Sequence, residues 1–233
     1  MRDGIEGVAF DLDGTLYPNY RLNIRLIPFI LKEWRLLAAF GKARIIIREE
    51  QKEGSLPSGD FYVYQAEITA KILGVDAEPL KNRIDRLIYR GWEPIFKNIK
   101  LFKGVISTLI DLQKAGYKLG LLSDFPPETK LEYLGLSKWA DGSKWDAVLC
   151  SERCGALKPD PLSFKELAAE MGLPCEKILY VGNSLSYDVA GAAGAGMKTA
   201  WIRSPFASPH GKNKEKCDFS FHNYRQLHAF MIQ

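Results

Sequence analysis

After residue 101 the sequence alternates regularly between short apolar runs and helix-like segments, a pattern that few folds can accommodate. Apolar runs bounded by glycine or polar residues predict strands at 117–122, 147–150, 178–181, 199–202 and 219–221. The intervening segments predict helices at 105–114, 127–134, 161–171, 188–195 and 224–231. Strands that alternate with helices form βαβ units. We therefore predict an α/β fold, a Rossmann-like parallel sheet covered by helices on both faces.

A further strand is predicted near the amino terminus, and two acidic residues follow it. The apolar run 5–10 is bounded by Gly4 and Gly14, and Asp11 and Asp13 come directly after it. Side chains at i and i+2 of an extended chain point to the same side. Both carboxylates can therefore face one site at the carboxyl end of the sheet, where open α/β sheets bind ligands. The pattern by itself fits equally well an Asx turn with both acids solvated.

Residues 17–99 have a helical pattern throughout. The periodicity predicts helices at 21–52, 61–73 and 78–89. Pro28 either begins the first helix or kinks it, because it has no amide donor. The predicted apolar face of that helix comprises Leu22, Leu26, Phe29, Ile30, Trp34, Leu37 and Ala38. We predict a core domain of residues 1–16 and 100–233, and a helical insertion of residues 17–99.

The positive charge of the chain is concentrated in this helical insertion. Residues 16–100 carry 15 Lys/Arg against 10 Asp/Glu, which suits an anionic substrate or partner. A basic stripe lies along one face of the first predicted helix: Arg21, Arg25, Lys32, Arg35 and Lys42. We interpret this basic stripe as the solvated side of a packed helix. Peripheral contact with an anionic membrane or partner is the less favoured alternative.

Composition excludes several classes of protein. A net charge of +4 is too small to indicate nucleic-acid binding. Four cysteines in 233 residues form no disulfide framework and indicate reduced thiols. No apolar run approaches the roughly 20 residues that span a bilayer, and no signal peptide is recognised. His210, His222 and His228 are too scattered for a metal site. We therefore expect a soluble, cytoplasmic protein.

Polar residues follow several of the predicted strands and should converge at one edge of the sheet. They are Asp11, Asp13, Ser123, Asp124, Asn183 and Asp188, with Lys158 beyond the short strand 147–150. Each has an ordinary explanation as a helix cap, a first-turn acid or a solvated loop residue. Their convergence on one edge favours a functional site.

These segments resemble the four motifs of the haloacid-dehalogenase-like (HAD) phosphatases. The motifs are Asp11-Leu12-Asp13-Gly14-Thr15, Leu121-Leu122-Ser123, Lys158-Pro159-Asp160-Pro161, and Gly182-Asn183-Ser184 through Asp188. Their order and spacing match the family over residues 1–16 and about 100–223. The helical insertion resembles the family's helical cap. The resemblance implies a phosphoric monoester hydrolase that acts on a small phosphorylated metabolite.

The resemblance also implies a role for each motif residue. Asp11 would be the nucleophile that forms an aspartyl-phosphate, and Asp13 the general acid and base. Ser123 would bind a phosphoryl oxygen, and Lys158 would balance the negative charge. A Mg²⁺ ion would be held by the Asp11 carboxylate, the Asp13 backbone carbonyl and the fourth motif, through Asn183 or Asp188.

One departure from the family pattern affects the predicted metal site. Position 183 is usually aspartate in the family, and here it is Asn183, which offers a carbonyl oxygen but no charge. We expect weaker Mg²⁺ binding rather than loss of the site. A phosphomutase and a regulatory relative that has lost turnover remain alternatives, whereas Asp13 disfavours dehalogenation. Neither the substrate nor the oligomeric state can be read from the sequence.

Overall fold

The structure is a computed structural model and describes residues 4–55, 57, 59–138, 144–203 and 217–232. Its strands are β1 (Gly7–Phe10), β2 (Lys118–Ser123), β3 (Ala147–Cys150), β4 (Ile178–Gly182), β5 (Lys198–Ile202) and β6 (Phe219–Phe221). They form one parallel sheet in the order β3-β2-β1-β4-β5-β6. The strand order therefore reverses between β1 and β4, and ligands bind at such switch points in open α/β sheets.

Helices cover both faces of this sheet, as predicted. They are α1 (Asn19–Lys52), α2 (Phe61–Leu73), α3 (Ala77–Ile84), α4 (Val105–Lys114), α5 (Glu128–Tyr133), α6 (Pro161–Met171), α7 (Ala190–Gly194) and α8 (Tyr224–Ile232). On one face Val8 packs with Leu109 of α4 and Leu227 of α8. On the other face Ala9 packs with Phe164 of α6. Adjacent residues of β1 thus enter different cores, and the prediction of a two-sided α/β fold is confirmed.

The helical insertion contains α1, α2 and α3, and no extended strand among its described residues. Its own core joins Leu36 and Phe40 of α1 to Ala66 of α2 and Leu80 of α3. The predicted division of the chain into two domains stays a prediction. Short helical turns at Asp85–Tyr89 and Glu93–Asn98 lead back to the sheet.

The predicted apolar face of α1 is partly wrong. Leu22 and Leu26 are buried, but Ile30 and Trp34 are exposed. Pro28 neither begins the helix nor marks its irregularity, because α1 starts at Asn19 and the non-helical backbone angles occur at Glu33. The helix has apolar residues on more than one side, so periodicity alone could not select the side that packs.

Other elements agree with the sequence prediction to within a few residues. The boundaries of α2 and α6 are as predicted, because Gly74 and Gly172 adopt the left-handed conformation that ends each helix. The predicted polar loop 204–216, with His210, lies outside the described residues. Within the part of the chain that is described, no helix is both long and apolar enough to cross a membrane.

Candidate active site

Three charged residues of different motifs meet at the carboxyl ends of β1 and β4. Lys158 Nζ lies 2.7 Å from Asp11 Oδ1 and 2.7 Å from Asp188 Oδ1, and all three residues are buried. Thr15 Oγ1 donates a hydrogen bond to Asp11 Oδ2 at 2.7 Å. The parallel sheet thus brings together Asp11, Lys158 and Asp188, which are far apart in the sequence.

The backbone that follows β4 holds Asp188 in position. Asp188 Oδ2 accepts the N–H groups of Asn183 at 3.1 Å and Ser184 at 2.9 Å. Gly182 makes the necessary room, because a Cβ atom there would lie 2.2 Å from the Asp188 Cβ. Asp188 Oδ1 is left to face Lys158.

Two buried carboxylates share one ammonium group, so the site has excess negative charge. Burial, and then the charge of Asp188, raises the pKa of Asp11 to about 7, although Lys158 opposes the rise. Burial alone would lower the pKa of Lys158, but Asp11 and Asp188 raise it well above its usual value. Lys158 is therefore a permanent cation, and a further positive charge would favour ionised Asp11.

Asp13, the second acid of the first motif, has different partners. Lys130 Nζ of α5 lies 2.7 Å from Asp13 Oδ2 and 3.1 Å from Asp13 Oδ1. The Tyr17 hydroxyl donates to Asp13 Oδ1. Burial, with the nearby Asp13 charge, raises the pKa of Tyr17 well above its usual value, which keeps this hydroxyl a donor. The two acids of the first motif therefore have different ion-pair partners, Lys158 for Asp11 and Lys130 for Asp13.

The other two predicted site residues lie beside these clusters. Ser123 is fully buried at the end of β2, and its Oγ accepts the Phe125 N–H at 3.3 Å. The Asn183 side chain packs over Gly14, because a Cβ on Gly14 would lie 2.1 Å from Asn183 Nδ2. The fourth motif therefore contacts the first through this glycine, whose φ of +91° is in the left-handed region.

A second group of charges, buried or partly buried, joins α1 to the sheet next to Lys158. Asp124 Oδ2 accepts from Arg48 Nη2 at 2.7 Å and from Arg44 Nη2 at 3.2 Å. Asp124 Oδ1 accepts the backbone N–H of Lys158 at 3.1 Å. Arg44 also pairs with Glu152, which follows β3. Burial alone would raise the pKa of Asp124, but the neighbouring cations lower it to about 2.

Sequence reasoning missed several of these residues. Arg44 and Arg48 are four residues apart, which places them on one face of α1, but nothing in the sequence indicated that Asp124 is their partner. Lys130 gave no signal, because its relation to Asp13 depends on how α5 packs beside β1.

The oxygen atoms at this site fit a small, hard cation. The Asp11 and Asp188 carboxylates and the Asn183 amide are oxygen donors of the type that Mg²⁺ binds. In the described residues, no three Asp, Glu, His or Cys side chains are gathered closely enough to hold a metal ion. An ion here would therefore also depend on amide and backbone oxygens. The observation that favours a cation is that two buried carboxylates, Asp11 and Asp188, share the single ammonium group of Lys158.

Comparisons with known proteins match most of the chain to one family of enzymes. The haloacid dehalogenase-like hydrolase family matches residues 5–196. A glyceraldehyde 3-phosphate phosphatase of Methanopyrus kandleri is 30% identical over 85% of this chain and 84% of its own length. The enzyme of that name from Methanothermobacter thermautotrophicus is 27% identical over 91% and 92%.

Solved structures show the same fold. A HAD phosphatase from Thermococcus onnurineus has a TM-score of 0.61 at 21% identity, covering 97% of this chain and 98% of its own. An L-2-haloacid dehalogenase has a TM-score of 0.66 at 20% identity, covering 98% and 99%. With the family match over most of the chain, this protein belongs to the haloacid dehalogenase-like hydrolases, on their phosphatase branch.

Proposed function

We propose that this hydrolase is a Mg²⁺-dependent phosphatase that works through an aspartyl-phosphate on Asp11. The observation that carries the proposal is that the two acids of the first motif have different partners. Asp11 pairs with Lys158 and Asp13 with Lys130 and Tyr17. Two carboxylates with different surroundings can take different catalytic roles. Asp11 is the nucleophile, and Asp13 is the acid and base.

The reaction follows from these positions. An Asp11 carboxylate oxygen bonds to phosphorus, and the ester P–O bond breaks toward the leaving alkoxide, which takes a proton from Asp13. Asp13 then removes a proton from the water that cleaves the aspartyl-phosphate and releases inorganic phosphate. Lys158 offsets charge on Asp11 and on the phosphoryl group. Mg²⁺, held by Asp11, Asp188 or Asn183, and the Asp13 backbone carbonyl, would supply further charge neutralisation.

The helical insertion supports a small anionic substrate. We assign residues 17–99 as a cap over the core, and Arg44 and Arg48 of α1 bring two guanidinium groups to Asp124 beside Lys158. Relatives named as glyceraldehyde 3-phosphate phosphatases favour a triose phosphate or similar sugar phosphate as substrate. The thiols of Cys150, Cys154 and Cys175 are free, which fits a reducing cytoplasm.

The function is tested by phosphate release from triose, pentose and hexose phosphates, phosphoglycolate and nucleotides, with Mg²⁺ and with EDTA. We expect Mg²⁺-dependent release that is fastest with a small sugar phosphate. Transfer of the phosphoryl group within a substrate, with no free phosphate, would identify a phosphomutase instead. Equal rates in EDTA would refute the metal requirement.

Substituting Asn183 with aspartate should strengthen metal binding. Asn183→Asp adds a negative charge beside Gly14 and the Asp11 site. We expect the Mg²⁺ concentration for half-maximal activity to fall by about tenfold, the lower end of what single changes around metal sites produce. Asn223→Asp, the same change at an exposed position near α8, is the matched control. An unchanged or higher Mg²⁺ requirement in Asn183→Asp would contradict this prediction.

Removing the Lys130 ammonium should impair proton transfer by Asp13, because Lys130 contacts both Asp13 carboxylate oxygens and holds that group in position. We expect Lys130→Gln to lower kcat by about 10- to 100-fold, part of the roughly 10²- to 10⁴-fold that a positioned general acid contributes. In kcat/KM, which reports the steps up to formation of the aspartyl-phosphate, the loss should be large with alkyl phosphates and small with p-nitrophenyl phosphate, because nitrophenolate leaves without a proton. Lys97→Gln, at an exposed lysine over Tyr133, is the control. Equal losses of kcat/KM with both kinds of substrate would show that Lys130 does not act through protonation of the leaving group.

A further inference from the structure

The outward side of α1 carries a second apolar surface. The inward side buries Leu22, Leu26, Leu36, Phe40, Ala43 and Ile47. An outer apolar stripe of Tyr20, Ile24, Ile27, Leu31 and Trp34 is between 49% and 74% exposed. Tyr20, Ile24, Ile27 and Leu31 recur at spacings of four and three in regular helix, which keeps them on one face, and Trp34 follows directly after the non-helical angles at Glu33. They are offset by two residues, about 200°, from the buried stripe, so they point away from the fold.

This apolar exposure is concentrated in one place. Six of the twelve large apolar side chains that are exposed in the described residues lie between Tyr20 and Trp34, counting Ile30 with the outer apolar stripe. Single exposed apolar residues are ordinary on a protein surface, whereas a contiguous patch marks a binding surface. The outward side of α1 therefore has the character of a binding surface.

Charge indicates the kind of partner. Arg21, Arg25, Lys32 and Arg35 each directly follow a member of the outer apolar stripe, so the basic stripe runs alongside it. Residues 19–48 contain a single acidic residue, Glu33. It is buried and accepts from Arg83 Nη2 at 2.5 Å, on the inward side. The outward side is thus apolar and cationic, which calls for an apolar and anionic partner.

A lipid surface meets both requirements. Contact between two copies of this face would bring basic stripes close together with no acid to offset them, at an electrostatic cost. Helices that lie in the membrane interface combine an apolar face with flanking Lys and Arg. Tyr20 and Trp34, one at each end of the stripe, have the amphipathic rings that favour the headgroup level. We propose that the outward side of α1 docks this protein on an anionic lipid surface.

This docking leaves the candidate active site intact. Arg44 and Arg48 of the same helix point inward, where both pair with Asp124. The helix can therefore contact lipid on one side while its other side stays bound to the sheet.

The test is co-sedimentation of the full chain with vesicles of phosphatidylcholine, alone or mixed with phosphatidylglycerol, at low and high salt. Arg25→Gln/Lys32→Gln/Arg35→Gln removes charge, and Ile24→Ser/Leu31→Ser/Trp34→Ser removes apolar surface. Two control variants change exposed residues in the predicted core domain. Lys100→Gln/Lys103→Gln/Lys114→Gln is the control for charge, and Ile106→Ser/Ile232→Ser is the control for apolar surface. All these positions lie outside the ion pairs of the site, so phosphatase activity in solution reports correct folding.

We expect binding to the mixed vesicles that weakens with salt. It should fall by about 100-fold in the charge variant, from roughly fivefold for each basic residue near an anionic surface. It should also be lost in the apolar variant and kept in both controls. A blue shift of fluorescence on mixed vesicles that is absent in Trp34→Leu would add support. Absence of binding, equal binding to neutral vesicles, or loss in the controls would overturn the proposal. So would a dimer that the apolar variant abolishes without any vesicle binding.

Discussion

Asp11→Asn is expected to abolish turnover while making the metal-free protein more stable at alkaline pH. The rate should fall by about 10⁴-fold or more, the scale of loss when an enzyme loses its nucleophile. The stability change follows from charge. The pKa of Asp11 is raised from 3.8 to about 7 in the fold. The stabilisation that protonated Asp11 gives to the folded state is therefore complete below pH 3.8 and is lost as pH rises through 7. Asparagine has no charge to bury.

Thermal unfolding in EDTA measures this second effect. The melting temperature of Asp11→Asn should exceed that of the wild type at pH 8, and the difference should shrink toward pH 4. Asp111→Asn, at a half-exposed carboxylate that pairs with His228 on the outside of the core, is the control and should keep activity. Activity that survives in Asp11→Asn would remove the proposed mechanism. Loss of stability at pH 8 would show that ionised Asp11 is well compensated in the fold.

Lys158→Met is expected to abolish activity and to destabilise the protein strongly. Its ammonium group is the cation 2.7 Å from both Asp11 and Asp188. Methionine fills similar volume but leaves two buried carboxylates facing each other. Removing one partner of a buried ion pair costs about 3 to 5 kcal/mol of unfolding free energy. We expect a loss of this size at pH 8 in urea unfolding.

The loss of unfolding free energy in Lys158→Met should become smaller as pH falls toward 5. Without Lys158, which lowers the pKa of Asp11, that pKa rises further, so the variant regains stability when its acids are protonated. Lys177→Met removes a lysine whose pair with Glu6 is at the surface, and its unfolding midpoint should stay unchanged. A Lys158→Met protein as stable as the wild type at pH 8 would show that another group neutralises the two acids.

Much of the fold is already determined by local patterns. The apolar runs of β1 and β4 and the glycines that end α2 and α6 act within a few residues, so the sequence indicates them directly. The alternation of strands and helices then requires a parallel sheet. Asp11, Asn183 and Asp188 were predictable as neighbours because they follow strands of that sheet.

The partners of these residues were not predictable, because they depend on packing between distant elements. Lys130 reaches Asp13 only because α5 packs beside the carboxyl end of β1. Arg44 and Arg48 pair with Asp124 only because α1 lies against the end of β2. A charge carries no sequence mark of the charge that will neutralise it, so such pairs require the tertiary structure.

The first helix shows the division most clearly. Local patterns predict that α1 is helical, basic and rich in apolar residues, and that Asp11 and Asp13 follow a strand. The packing of distant elements against α1 is what buries Leu22 and Leu26 and leaves Ile24 and Leu31 exposed. Both stripes have the same helical spacing, and hydrophobic burial has no direction of its own. Which stripe is buried depends on the complementary surfaces that the rest of the chain presents.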